Sequence, residues 1–135
     1  MDYLTKARRS EVRASVKGKN TGLEKTMFTL LRLEKVKFKM HVKTLPGKPD
    51  IVFAKERVAV FVDGDFWHGY NYRLWGRKLK PYWRAKIETN MLRDRRNFTK
   101  LRRMGWTVVR VWGHEIKKRP YETLLKILFI LASRT

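Results

Sequence analysis

Pro49-Asp50 stands at the head of a short β-branched run, and Asp63 follows 13 residues later at the end of the next such run. If the two runs are neighbouring strands, both carboxylates arrive at one sheet edge. Carboxylate oxygens, water and substrate phosphate are what Mg²⁺ takes into its octahedral shell. An ion held there polarises a phosphoryl group, acidifies bound water and offsets charge in the transition state. Pro-Asp is also ordinary turn chemistry, so the pair needs company. The stretch Val62-Asp63-Gly64-Asp65-Phe66-Trp67-His68-Gly69 supplies it, adding carboxylates and a histidine at the mouth of the same edge. His68 can give or take a proton near neutral pH, and phosphodiester cleavage needs both a base and an acid. Its structural alternative is a hydrogen bond within the loop. His41 reads as a strand histidine without chemistry, since nothing acidic lies near it in sequence. Asp94, beside Arg93, reads as a structural ion pair.

Positioning these groups takes a sheet with helices around it. Residues 1–19 form a polar, basic arm, expected to be helical from Tyr3 to about Val16, at the start of one domain spanning 1–135. Thr21, three residues before Glu24, has capping-box spacing and predicts a helix to about Leu33. Leu23, Met27, Leu30, Leu31 and Glu34 follow the helical period on one stripe. Phe38 to Val42 alternates as a half-buried strand, and the turn Leu45-Pro46-Gly47-Lys48-Pro49 ends it. Asp50–Phe53 and Arg57–Val62 suggest a hairpin whose second strand is central. Phe66 to Trp83 reads as a long loop with seven aromatics, too aromatic for disorder. Arg84–Met104 is a predicted helix stopped by Gly105, Trp106–Trp112 a fourth strand and Pro120–Ala132 a closing helix. The order implies an α/β fold, a mixed sheet flanked by helices.

Lys and Arg total 33 against 12 Asp and Glu, a formal charge of +21 that favours a polyanionic partner, nucleic acid first. Between Arg73 and Arg103 stand 12 basic residues and two acids, so one face can follow a phosphate backbone, with Arg84, Lys86 and Arg93 as expected contacts. A membrane partner is not expected: the apolar run Leu124–Ala132 is interrupted by Lys126 and falls far short of the ~20 residues needed to span a bilayer. The absence of cysteine excludes disulfides and thiolate metal sites. With no apolar leader at the N-terminus, a cytoplasmic protein is expected.

Leu45-Pro46-Gly47-Lys48-Pro49-Asp50 followed by Phe61-Val62-Asp63-Gly64-Asp65-Phe66-Trp67-His68 resembles the very-short-patch-repair (Vsr) endonucleases of the PD-(D/E)xK class. Supporting matches run from Arg9-Ser10 and Arg13 through Glu24, Asn90 and Arg93-Asp94 to Gly105-Trp106 and Val111-Trp112. The resemblance implies a restriction-endonuclease-like fold and Mg²⁺-dependent nicking of one strand of double-stranded DNA at a T:G mismatch. It makes Asp50 the metal ligand, Val62 a ligand through its backbone carbonyl, His68 the acid or base and Glu24 an acidic helper. Asp63 stands where a second histidine is found in the family, and either binds metal or orients water. Phe66 and Trp67 match a pair of aromatics wedged into the base stack, though both types also serve in cores. Arg9 and Arg13 would touch DNA from the arm. A monomer, nucleoid-associated when bound, is expected.

The family's structural zinc is another matter. Its ligand positions read Asp65, Tyr70, Asn71, Tyr72 and Gly113-His114 here. A site of Asp65, His68 and His114 would take the catalytic histidine, so no zinc is expected. Two other readings stand: a nuclease of the same fold with a different DNA target (restriction, transposon-linked or junction-resolving), and a non-catalytic DNA-binding module.

Overall fold

A computed structural model describes residues 21–134. The predicted arm, with Arg9 and Arg13, lies outside the described residues.

The hydrophobic period is obeyed from the start. Helix α1 (Thr21–Leu33) buries Met27, Phe28 and Leu31 together with the carboxylate-bearing Glu24, while Glu34, expected on the same stripe, is exposed beyond its end. Strands β1 (Lys39–Met40), β2 (Ile51–Phe53), β3 (Val58–Asp63) and β4 (Thr107–Trp112) form one sheet in the order β1-β2-β3-β4. β1 and β2 are antiparallel, as are β2 and β3, whereas β3 and β4 run parallel with Asp63 opposite Trp112. A parallel pair needs a crossover, and helix α3 (Pro81–Arg103) provides it. β1 is shorter than predicted because His41 takes a left-handed conformation, φ 49°, which leaves the strand.

β3 is buried at every residue. Its side chains alternate between two cores, as a strand covered on both faces must. Val58, Val60 and Val62 pack with α1 and with helix α5 (Pro120–Arg134) through Met27, Leu124, Ile127 and Leu131. Ala59 and Phe61 turn to the other face and meet Phe98 and Leu101 of α3. Asp63, next in that alternation, is thereby delivered to the α3 side.

The stretch predicted as a loop from Phe66 to Trp83 is more ordered than that. It holds a helical turn, α2 (Tyr72–Trp75), a 3₁₀ turn (Gly76–Lys78), and the first residues of α3, which begins at Pro81 rather than Arg84. Proline suits the first helical position, where its missing N–H costs nothing. Phe66, Trp75, Leu79 and Ile87 make a core of their own, flanked by Trp67, Tyr72, Trp83 and Met91. Gly69, at φ 75°, lets the chain pass against α3: a Cβ there would lie 2.5 Å from Met91 Sδ. A short helix, α4 (Gly113–Lys118), follows β4 where no element was predicted. No helix among the described residues is long and apolar enough to cross a membrane.

Candidate active site

The β1–β2 turn and β3 bring Asp50 to the sheet edge, where its Oδ2 accepts the backbone N–H of Val62 at 2.7 Å. Glu24 reaches the same point from α1, only 6% exposed, and hydrogen-bonds to Asp50. Burial, with Glu24 as hydrogen-bond partner and like charge, pushes the Asp50 carboxyl up to about 7, although the Val62 amide and His41 pull the other way. His41 completes the group, its Nε2 3.5 Å from Glu24 Oε2 and its Nδ1 3.7 Å from Asp50 Oδ1. His41, expected to be a strand histidine with nothing acidic near it in sequence, thus lies just past the strand and beside two acids in space. The signal was in the hairpin: Met40 opposite Ile51 puts His41 opposite Asp50, and its N–H donates to the Asp50 carbonyl at 3.0 Å. A buried and a half-buried acid hydrogen-bonded to each other, with an imidazole beside them, are a donor set suited to a divalent cation.

A second group lies across the cleft. His68 Nδ1 is 2.7 Å from Asp94 Oδ2, and its Nε2 is 3.5 Å from Asp63 Oδ1. Arg110, from β4, donates Nε to Asp63 Oδ2 and Nη2 to Asp94 Oδ2, both at 2.6 Å. Burial alone would lower the His68 value, but the hydrogen bond to Asp94 and the charges of Asp63 and Asp94 outweigh it and hold His68 above its ordinary range. Burial likewise raises Asp63, against the opposing pull of His68 and Arg110. Asp94 does form the expected ion pair, with Arg110, but it does more than that. It fixes the ring of His68, a role hidden by the 26 residues that separate them. Arg110 went unnoticed in the sequence, although strand alternation places it on the same face as Val108, opposite to Val109 and Val111.

Between the two groups opens a cleft of about 840 Å³ lined by Glu24, Asp50, Val62, Asp63, His68 and Asp94. Trp67, Lys86, Asn90 and Arg93 form its outer wall. Arg84 lies outside that wall, half-buried in the first turns of α3. Trp67 is half-buried, its carbonyl held by Asn90 Nδ2 at 3.1 Å. Phe66, expected beside it as a wedge, is 3% exposed, stacks on Trp75 with ring centroids 5.6 Å apart, and meets Trp67 edge-on at 5.4 Å. In this conformation Phe66 belongs to the aromatic core and cannot enter a base stack without leaving it.

Asp65 points elsewhere. Both its oxygens lie 3.1 Å from His114 Nδ1, whose ring packs on Tyr70 at 4.3 Å, so Asp65, His68 and His114 do not converge. Trp75 Nε1 donates to the Tyr70 carbonyl at 2.9 Å, and the Tyr72 hydroxyl donates to Glu88 at 2.6 Å. Burial and that carboxylate raise the Tyr72 phenol to about 12.

Comparison with known proteins places the chain in a family. The family described as DNA mismatch endonuclease Vsr matches residues 1–74, just over half of the chain. The chain belongs to the Vsr endonuclease family. It is 42% identical to the type II nicking enzyme V.XorIIP of Xanthomonas oryzae over 118 residues, covering 85% of this chain and 86% of that one. Identity to the type II nicking enzyme V.HpaIIP of Haemophilus parainfluenzae is 34%, covering 94% and 93%. The DNA mismatch endonuclease Vsr of Escherichia coli is 32% identical, covering 87% and 77%. As a member of the Vsr family, the chain is a nicking DNA endonuclease with the α/β restriction-endonuclease-like fold.

Proposed function

We propose that the chain nicks one strand of double-stranded DNA at a T:G mismatch, using Mg²⁺ held by Asp50, Glu24 and the backbone carbonyl of Val62. The observation that carries this reading is that Asp50 and His68 face one cleft whose outer wall bears Lys86, Arg93 and Trp67. Mg²⁺, when bound, would supply Lewis acidity at the phosphoryl group and a more acidic water. The rest falls to side chains. Lys86 and Arg93 hold the phosphate backbone, with Arg84 and the arm residues Arg9 and Arg13 extending the grip. His68, kept toward its protonated form by Asp94, gives a proton to the leaving oxygen as its bond to phosphorus breaks, while the attacking water forms the new bond and loses its proton to solvent. Asp63 orients His68 from the other side. Trp67 enters the base stack, where a mismatched step resists unstacking least, and Phe66 supports it from beneath. The protein acts as a monomer on chromosomal DNA in the cytoplasm.

A second reading, a nickase of this fold with a different DNA target, draws support from the relatives that bear the name type II nicking enzyme. One gel separates the two. Purified protein with Mg²⁺ is incubated with matched, T:G-mismatched, single-stranded and branched DNA of one sequence. Nicking confined to one strand of the mismatched duplex is expected. Equal cutting of the matched duplex would favour the second reading, and no cutting of any substrate would overturn both.

A further inference from the structure

Two clusters flank the cleft, and each has the composition of a metal site: Glu24, His41 and Asp50 on one side, Asp63, His68 and Asp94 on the other. They differ in what already sits among the carboxylates. Among the described residues no lysine or arginine pairs with Glu24 or Asp50. In the second cluster the Arg110 guanidinium bridges both acids, 2.6 Å from Asp63 Oδ2 and 2.6 Å from Asp94 Oδ2. Such a planar fork matches carboxylate geometry and keeps its charge at every physiological pH. Arg110 is also held from both sides, its guanidinium carbon 4.2 Å from the Trp112 ring centroid and 5.1 Å from that of Phe98. Cation–π contacts of this kind oppose its swinging away. Behind it, a pocket of about 210 Å³ is lined by Arg95 and Arg102 and by no acid, so the local field is unfavourable to another cation. One oxygen of each carboxylate is already taken: Asp63 Oδ2 by Arg110, and Asp94 Oδ2 by Arg110 and by His68 Nδ1 at 2.7 Å.

We propose that Arg110 is a positioning residue that occupies the cation place of the Asp63–His68–Asp94 cluster, so that only the Glu24–Asp50 side of the cleft takes a divalent ion. The second cluster is then a preset frame for His68 rather than a second metal centre. This deepens the proposed function and rests on its assignment of Asp50 and Glu24 to the ion.

The test counts ions without DNA, so its failure is separate from failure of the mismatch-nicking reading. Metal-free protein is titrated with Mn²⁺ and bound ion is measured by electron paramagnetic resonance, with circular dichroism to verify folding. Wild type should bind one Mn²⁺ tightly, and Asp50→Asn should weaken that binding tenfold or more and leave no second tight site. Adding Arg110→Met to Asp50→Asn should create a new site, whereas adding Arg110→Lys, which keeps the charge, should not. Tight binding of Mn²⁺ by Asp50→Asn alone would overturn the proposal, as would a folded Arg110→Met/Asp50→Asn protein that gains no ion. If Arg110→Met does not fold, the Asp50→Asn count still decides, because the proposal requires that side to reject the ion while Arg110 is in place.

Discussion

The two sides of the cleft bury their carboxylates to a similar degree and solve the resulting charge problem in opposite ways. Glu24 and Asp63 are 6% and 5% exposed, respectively. On the Asp63 side an arginine from β4 is folded into the site, and Asp63, Asp94 and His68 form a closed set of charge-assisted hydrogen bonds with it. On the Asp50 side no lysine or arginine is folded in among the described residues; the His41 imidazole stands beside both acids, and burial next to Glu24 pushes the Asp50 carboxyl up to about 7. An acid pair of this kind without a permanent positive charge is costly to keep doubly ionised. Its remedy comes from solution, as a proton or as a metal ion. The contrast teaches that one side is organised before substrate arrives, while the other is completed by what binds.

After the loss of the metal ligand Asp50, the next largest effect should come from the organised side. His68→Ala should lower the nicking rate by about 10²- to 10⁴-fold, the range for losing a general acid or base. Its melting temperature should change little, because Arg110 still joins Asp63 and Asp94; a mutant that nicks at the wild-type rate would detach His68 from the chemistry. The two aromatics at the rim come next. Phe66→Ala should destabilise the protein by about 3–5 kcal/mol, as a buried phenylalanine does. Trp67→Ala should act instead on duplex affinity or cleavage, by about 1–3 kcal/mol. Thermal melts and cleavage assays on both mutants would expose an exchange of roles. The third effect is on pH and belongs to the open side. Between pH 4 and 7 the folded chain keeps a proton on Asp50 that the unfolded chain, with its value near 3.8, has released. The Asp50 contribution to the stability of the metal-free protein should therefore fall as pH rises across that window and level off above it. Asp50→Asn should remove that fall, gaining about 2–4 kcal/mol over wild type at pH 8, from about 1.4 kcal/mol per unit. Chemical denaturation of both proteins at pH 4.5 and 8 measures it, and parallel pH profiles would contradict it.

The sheet and its helices were legible because their periods are clean: Val58 to Val62 is an unbroken apolar run, as a strand buried on both faces requires, and Met27 and Leu31 mark the core side of α1. Asp50, Asp63 and His68 were legible because they lie within 19 residues of one another around one hairpin. Their partners were not. Glu24 has helix-capping spacing in the sequence and its place at the site came through the family resemblance alone, and Asp94 and Arg110 come from separate elements that only the β3–β4 crossover brings together. His41 was within reach of the hairpin register but was judged by sequence distance instead of strand pairing. The aromatic segment looked like a loop because its turns are short, and its order comes from Phe66, Trp75 and Leu79 packing on Ile87 of α3.

The account stands most directly on Asp50. A T:G-mismatched duplex labelled on each strand, incubated with wild type and Asp50→Asn over a range of Mg²⁺, tests it, with DNA affinity measured in parallel. The account predicts that Asp50→Asn abolishes nicking at every Mg²⁺ concentration, while duplex binding is unchanged or tighter because one repulsive charge is gone. Mg²⁺-dependent nicking by Asp50→Asn near the wild-type rate would contradict it and move the ion away from this edge of the sheet.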